Sequence, residues 1–163
     1  MTYHFAYADK AELKTLFSHL FELLYANMSQ IAPFDKTYEE EYAEWFSNVY
    51  PAMQKPQRQI VLMYCEDRIC GYFQYYVNLG TFMMEEIQIE KVHHGKGIFS
   101  AFFSWLVRQL PNDIKNVEAY AHNSNHKSQG VLQHMGLVQI GEDQESCTCH
   151  YRGEYQKLLN RYL

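Results

Sequence analysis

The segment EEIQIEKVHHGKGIF, residues 85–99, decides how this chain folds and what kind of ligand it can bind. Its first half alternates as a β-strand does, and Gly95 and Gly97 then precede an apolar helical pattern that starts at Ile98. The first amides of a helix lack acceptors within the helix, and the helix dipole is positive there, so this order is typical of an anion site. Glycines allow an anion to approach those amides closely, and Lys96 adds a positive charge.

Three other interpretations of the glycine loop exist, and spacing argues against two of them. A Walker A phosphate loop would need a glycine five residues before Gly95, where the chain has Glu90. A dinucleotide-binding loop would need a third glycine three residues after Gly97, where the chain has Ser100. A plain turn between a strand and a helix stays open.

Upstream of the loop, the sequence predicts a short strand and two amphipathic helices. Tyr3–Tyr7 alternates as a strand does. Asp9–Glu12 and Thr37–Glu40 are capping-box patterns, and we expect Pro51 to stop the second helix. The residues expected on the buried helix faces are Leu13, Leu16, Phe17, Leu20, Leu23 and Leu24 in the first helix and Tyr38, Tyr42, Trp45, Phe46 and Val49 in the second.

The rest of the chain predicts a meander of three strands and then alternating helices and strands. The expected segments are strands Ile60–Tyr64, Ile69–Val77 and Phe82–Lys91, a helix Gly97–Leu110, a strand Val117–Ala121, a helix after Asn125 to His134, strands Val138–Gly141 and Cys147–Arg152, and a helical turn or two in the tail. This order predicts one α+β domain over residues 1–163. Its sheet is mixed, mostly antiparallel and six- to seven-stranded, and about four helices flank it.

Composition excludes several classes of protein. The net charge of −5 and the lack of a basic stripe argue against nucleic-acid binding, and no apolar run approaches the ~20 residues of a membrane span. Four unevenly spaced cysteines and no evident signal peptide favour reduced thiols in the cytoplasm. Five His and Cys side chains lack the spacing of a metal site, and we expect no metal: His122, His126, Cys147, Cys149 and His150.

Two segments together resemble the GNAT family of N-acetyltransferases. That family carries Gln/Arg-x-x-Gly-x-Gly/Ala between its fourth strand and third helix, and residues 92–97 match it except that Val92 replaces the polar residue. The strand before it, residues 86–89, reads Glu-Ile-Gln-Ile, as is usual in the family. The family's second segment is matched by Asn125, Ser128, Leu132 and the pair Gly136-Leu137.

The resemblance implies an acyl-CoA N-acyltransferase fold, acetyl-coenzyme A as co-substrate, and an amine of a small molecule or peptide as acceptor. It implies pantetheine beside residues 87–89, with the Ile89 amide facing the developing oxyanion. The residues it implies for cofactor binding are Ile87, Gln88, Ile89, His94, Gly95, Lys96, Gly97, Ile98, Phe99, Asn125 and Ser128. Leu132 stands where many members have a tyrosine that protonates the departing thiolate, so that role is unassigned.

The acceptor amine is mostly protonated at neutral pH, so a base must take a proton. Glu86 and Glu85 are the candidates, one on each strand face, and a solvated carboxylate is the alternative for both. We expect the face of Ile87 and Ile89 to be buried against helices, with Glu86 and Gln88 on the other face. This favours Glu86 as the base. For the acid, Tyr120, Tyr151, a water molecule or no residue at all stay open.

Two competing functions also stay open. The first is an acetyl-CoA-binding regulatory or structural module without catalysis, because Leu132 replaces the usual tyrosine. The second is an interaction domain in which Gly95–Gly97 is only a turn. Neither a nucleic-acid nor a membrane partner is expected, and the predicted oligomeric state is a monomer or a homodimer.

Overall fold

A computed structural model describes residues 2–163. Within them the chain forms five α-helices and a seven-stranded sheet with strand order β1-β2-β3-β4-β5-β7-β6. The strands are β1 (Tyr3–Tyr7), β2 (Arg58–Cys65), β3 (Arg68–Asn78), β4 (Thr81–Ile89), β5 (Asn116–His122), β6 (Val138–Asp143) and β7 (Thr148–Glu154). The helices are α1 (Leu13–Met28), α2 (Tyr38–Met53), α3 (Ile98–Leu106), α4 (His126–His134) and α5 (Tyr155–Tyr162), with 3-10 turns at Lys10–Glu12 and Lys91–His93.

The chain forms two compact units, and the first holds the residues up to Gln74 together with Glu86–Ile98. In it β1 pairs antiparallel with β2, from Tyr3 opposite Cys65 to Tyr7 opposite Val61. Helices α1 and α2 cover a core of eight buried side chains: Leu13, Phe17, Leu20, Leu23, Met53, Ile60, Leu62 and Tyr72. Aromatic rings of α2 pack on this core at its margin, as Trp45 does on Phe17 with 4.9 Å between ring centroids.

The second unit holds Tyr75–Glu85 and Phe99–Leu163. Here the start of β4 pairs parallel with β5, from Thr81 opposite Asn116 to Met84 opposite Ala119. Strand β7 pairs antiparallel with both β5 and β6, and the pairing with β6 has an irregular register near Gly141. The exposed β6 forms the edge of the sheet, and α5 packs its tyrosines toward rings such as Phe82 and Phe103.

The predicted fold class and element order are confirmed, and the tail forms the expected helical turns as a fifth helix of 8 residues. The prediction that Pro51 stops the second helix was wrong, because α2 continues to Met53. Proline has a helix-compatible φ and costs one hydrogen bond, and here only two helical residues follow it. The chain then leaves the helix through short bonds, such as that from the Gln54 amide to the Pro51 carbonyl at 3.3 Å.

Two elements end earlier than predicted. Helix α3 ends at Leu106 rather than Leu110, and the Gln109 amide bonds the Leu106 carbonyl at 2.8 Å in a tighter turn. Pro111 disfavours helical backbone at Leu110, and the tighter turn occupies residues 107–109 before it. Strand β4 ends at Ile89 rather than Lys91, because Lys91 begins a 3-10 turn that leads into the glycine loop.

Candidate functional site

The glycine loop is an exposed turn between two buried anchors. Residues 94–97 are exposed. The residues on either side are buried: His93 is 8% exposed and Ile98 is 2% exposed. His93 closes the 3-10 turn, and Ile98 begins α3. Burial of the flanking side chains holds both ends of the loop in place and leaves its backbone at the surface.

Side-chain contacts also fix the approach to the loop. The Tyr3 hydroxyl is hydrogen-bonded to Nδ1 of His93 at 3.0 Å. Nε2 of His94 donates to the Ile89 carbonyl at 2.8 Å, since a carbonyl oxygen can only accept. Glu90, which forms an ion pair with Arg68, lies 3.8 Å from Nε2 of His93. The loop is therefore tied to β1, β3 and the end of β4.

Gly95 and Gly97 have φ of 74° and 84°, in a region of backbone conformation that residues other than glycine rarely adopt. A Cβ added at either residue meets no atom of residues 2–163 within 4 Å, so the space over the loop is open. Gly97 directly precedes α3, at the position where Thr37 caps α2 and Asn125 caps α4, and glycine has no side chain that could cap a helix. The geometry fits the predicted anion cradle, and it also fits the diphosphate of a nucleotide cofactor.

The last residues of β4 present an ordered backbone edge. The Glu90 amide donates to the Cys70 carbonyl at 2.8 Å, so Glu90 points its backbone toward β3. Backbone groups alternate along a strand, so those of Ile87 and Ile89 point away from β3. Gly71 lets the strands approach closely, because a Cβ there would lie 2.7 Å from the Gln88 carbonyl oxygen.

A chain of hydrogen bonds joins α1 to the predicted base. Nδ2 of Asn27 donates to Oε1 of Gln88 at 2.9 Å and to the Ile89 carbonyl at 3.0 Å. Nε2 of Gln88 donates to Oε1 of Glu86 at 2.6 Å. Burial raises the pKa of Tyr72 well above its ordinary value, and the nearby Glu86 carboxylate raises it further.

The expectation that Ile87 and Ile89 would be the buried residues of this strand end was wrong. Both are half-buried, whereas Gln88 is only 5% exposed. Satisfied hydrogen bonds make burial of its amide tolerable, and a hydrophobicity pattern does not detect such partners. Glu86 and Gln88 do lie side by side, as predicted. The other candidate base, Glu85, is half-buried and belongs to the second unit.

The second predicted segment begins with a helix cap. Oδ1 of Asn125 accepts from the Ser128 amide at 3.0 Å and so caps α4. Leu132 is 7% exposed and packs as a core residue, so its position supplies no acid. Phe99, also predicted to contact the cofactor, is half-buried and packs on Phe103 with 4.7 Å between ring centroids.

The two tyrosines considered as acids have different surroundings. Tyr151 is fully buried and donates its hydroxyl proton to Gln129 at 2.9 Å, which removes it as a candidate. Tyr120 is 50% exposed and stacks on His150 with 4.3 Å between ring centroids. Nε2 of His150 lies 2.6 Å from Oε1 of Glu118. Tyr120 stays a candidate acid within a polar, accessible cluster.

The His and Cys side chains have other surroundings. Among residues 2–163, no three His, Cys, Asp or Glu side chains are close enough together to hold a metal ion. All four cysteines are free, and burial raises the pKa of Cys70 to about 11. Cys147 is exposed and lies in the turn before β7, with φ of 56°. Of the helices in residues 2–163, none has the length and apolar character that a membrane crossing requires.

Comparison with solved structures supports the architecture, although no protein-family model and no curated protein sequence matches this chain. An N-acetyltransferase PaiA of Thermoplasma acidophilum, in complex with coenzyme A, superposes with a TM-score of 0.74 at 13% identity, covering 95% of this chain and 100% of that one. An acetyltransferase of Thermus thermophilus gives a TM-score of 0.72 at 16% identity, covering 94% of this chain and 97% of that one.

The aminoglycoside acetyltransferase AAC(6')-Ib, in complex with coenzyme A, gives a TM-score of 0.66 at 14% identity and covers 98% of both chains. Identities this low establish a shared fold. The order of strands and helices and these three similarities lead to one conclusion: this chain has the fold of the GNAT acetyltransferases.

Proposed function

We propose that this chain is an N-acetyltransferase that moves the acetyl group of acetyl-coenzyme A directly to an amine of a small molecule or peptide. The observation that carries the proposal is the start of α3. There an exposed loop with two left-handed glycines, open space above them and Lys96 between them leads into a helix without a capping side chain at Gly97. That arrangement suits a diphosphate.

In this proposal the diphosphate lies over residues 94–99 and Lys96 adds a mobile charge. The amides of His94 and Lys96 already donate to the Lys91 and His93 carbonyls, at 3.1 and 3.4 Å, so the other amides of this segment are the proposed donors to the diphosphate.

The pantetheine arm extends along the edge of β4, where the backbone groups of Ile87 and Ile89 point away from β3. An oxyanion needs a hydrogen-bond donor, so we assign this contact to the Ile89 amide, which points away from β3. Asn125 and Ser128 are proposed as contacts on the second segment.

The reaction needs no protein nucleophile. The amine nitrogen bonds to the acetyl carbon, the carbon–sulfur bond breaks, and the thiolate of coenzyme A leaves. Glu86 is proposed to take the proton that the nitrogen loses, directly or through water, with Glu85 as the alternative. Tyr120 is the candidate donor of the proton that the thiolate gains.

A second candidate function is a binding module that holds acetyl-coenzyme A without turning it over. The observation that favours it is the burial of Leu132 at the position where related enzymes often have a tyrosine. Both functions require binding of acetyl-coenzyme A, so only a measurement of turnover distinguishes the module from the enzyme.

Compartment and substrate are parts of the same proposal. Four free thiols suit a reducing compartment, and we place the protein in the cytoplasm as a monomer or homodimer. A related structure is named as an aminoglycoside acetyltransferase, so aminoglycosides belong in a substrate panel with polyamines, amino acids and peptide N-termini.

The test has two stages. Calorimetry with acetyl-coenzyme A should give one site per chain, and absence of binding would leave only the interaction domain. Release of free thiol from acetyl-coenzyme A, measured with each amine of the panel, should then identify a substrate. Binding without turnover of any amine would favour the module.

A further inference from the structure

The geometry points to Asn27 on α1 as a positioning residue for catalysis, because it fixes which end of the Gln88 amide faces Glu86. The inference rests on the proposed function, in which Glu86 is the base. Asn27 lies 61 positions from Gln88 in the chain, and no motif predicts the contact.

The orientation of Asn27 is determined by its two acceptors. Its amide nitrogen donates to the Gln88 side-chain oxygen at 2.9 Å and to the Ile89 carbonyl at 3.0 Å, which uses both of its protons. Rotating the amide by 180° would set its oxygen against two other oxygens. Only one orientation of Asn27 is therefore compatible with its surroundings.

That orientation is passed to Gln88. Because Oε1 of Gln88 accepts from Asn27, its Nε2 must turn the other way, and there it donates to Glu86 at 2.6 Å. Gln88 is 5% exposed, so water competes little for either end of its amide. Without Asn27, the amide can also turn its oxygen toward the carboxylate, which repels it.

The consequence for Glu86 concerns its charge. A hydrogen bond donated to a carboxylate favours the ionised form, and only the ionised form can accept a proton from the amine. Glu86 is half-buried and lies near the fully buried Tyr72, so a donated hydrogen bond offsets part of the hydration that its carboxylate loses. The Asn27–Gln88 pair thus favours the ionised form of Glu86 and directs its carboxylate.

The test compares the uncharged variants Asn27→Leu and Gln88→Met with the wild type. Each removes the donor to Glu86 or its orientation, so the pKa of Glu86 should rise. The acid limb of the kcat/KM profile should then move up by about one pH unit, so the loss approaches about tenfold at pH values well below the wild-type midpoint and disappears well above it. In Asn27→Leu the KM for acetyl-coenzyme A should change less than about twofold, since Asn27 belongs neither to the glycine loop nor to the implied cofactor contacts. Gln30→Leu, an exposed amide three residues after Asn27, is the matched control and should leave the profile unchanged.

The double variant separates positioning from packing. If Asn27 acts only through Gln88, then Asn27→Leu added to Gln88→Met should cause no further loss. Additive losses, or an acid limb that stays at its wild-type pH in both single variants, would overturn the inference.

NMR titration of the Glu86 carboxyl carbon in the wild type and Gln88→Met tests the hydrogen bond without turnover, and an unchanged midpoint would also overturn it. Failure of the proposed function would be seen separately, as a wild-type protein that neither binds acetyl-coenzyme A nor acetylates an amine. Should Asn27→Leu not fold, Asn27→Ser takes its place.

Discussion

Two helices of this chain begin in opposite ways. Helix α4 starts after Asn125, whose side chain accepts a hydrogen bond from the Ser128 amide and so satisfies the helix from within. Helix α3 starts after Gly97, which has no side chain and holds a φ of 84°. Every helix needs acceptors for its first amides, so the start that lacks its own acceptor is the one suited to an anionic ligand.

The largest expected effect concerns the proposed general base, Glu86. Glu86→Gln should lower the acetylation rate by about 10²–10⁴ at neutral pH, as is expected for loss of a general base. The deficit should shrink as pH rises toward the pKa of the amine, because the substrate then arrives neutral. Acetylation rates of the variant and the wild type, measured across pH, give the size of this deficit. The affinity for the cofactor should be nearly unchanged.

Glu85→Gln is the matched control for that experiment, since it makes the same change one residue away in the other unit. A large loss in Glu85→Gln and none in Glu86→Gln would reverse the assignment of the base. If neither variant loses activity, the base lies outside β4 or the enzyme takes substrate that is already neutral.

The next effect in size concerns the start of α3 at Gly97, which has no capping side chain and is called the open helix start below. Gly97→Glu should weaken acetyl-coenzyme A by about 10²–10³, because it brings bulk and negative charge against a diphosphate. Calorimetry measures the affinity, and circular dichroism confirms folding. Gly141→Glu, the same change at an exposed glycine with open space around it, should bind normally. Full affinity in a folded Gly97→Glu variant would mean that the loop is only a turn.

A smaller effect is expected when α3 is given the kind of start that α4 has. Gly97→Asn introduces a side chain that tolerates a left-handed backbone and can cap the helix. The new cap competes with the ligand for the same amides, so affinity should fall about five- to tenfold. Stability, measured by urea unfolding, should change little. Unchanged affinity together with a crystallographically observed cap would break the proposed contrast between the two helix starts.

The smallest effect is expected at α4. Asn125→Ala should cost about 1 kcal/mol of unfolding free energy, because it removes a cap. Urea unfolding measures this loss. If Asn125 also contacts the cofactor, as the family resemblance implies, calorimetry should show a several-fold weaker affinity. A loss of stability alone would make the residue a cap and nothing more.

The sequence predicted features that are written in short local patterns. Asp9, Thr37 and Asn125 all cap helical turns as expected, because a capping side chain and its amide lie within three residues. The glycine loop and the helix after it were also predicted, because their pattern is likewise contained in a short stretch of sequence. Pro51 misled because its cost depends on how many helical residues follow it, and the sequence does not state that number.

Long-range polar contacts were beyond a reading of the sequence. Gln88 looks like a solvated strand residue, and its burial depends on a partner on α1 that no periodicity places beside it. Hydrophobic patterns report where apolar surface goes, whereas a buried amide is decided by a specific partner. The roles of Glu86, Tyr120 and the cofactor loop stay predictions, since they concern ligands rather than the fold.

The most direct test of the central claim is an amide NMR titration of the wild-type chain with coenzyme A. The account predicts that the largest shifts occur at the amides of residues 94–99, where the diphosphate replaces water as the acceptor. The capped Ser128 amide should shift less. Saturable shifts centred on residues 94–99 would support the open helix start as the cofactor site. Shifts centred elsewhere, or none at saturating coenzyme A, would contradict it.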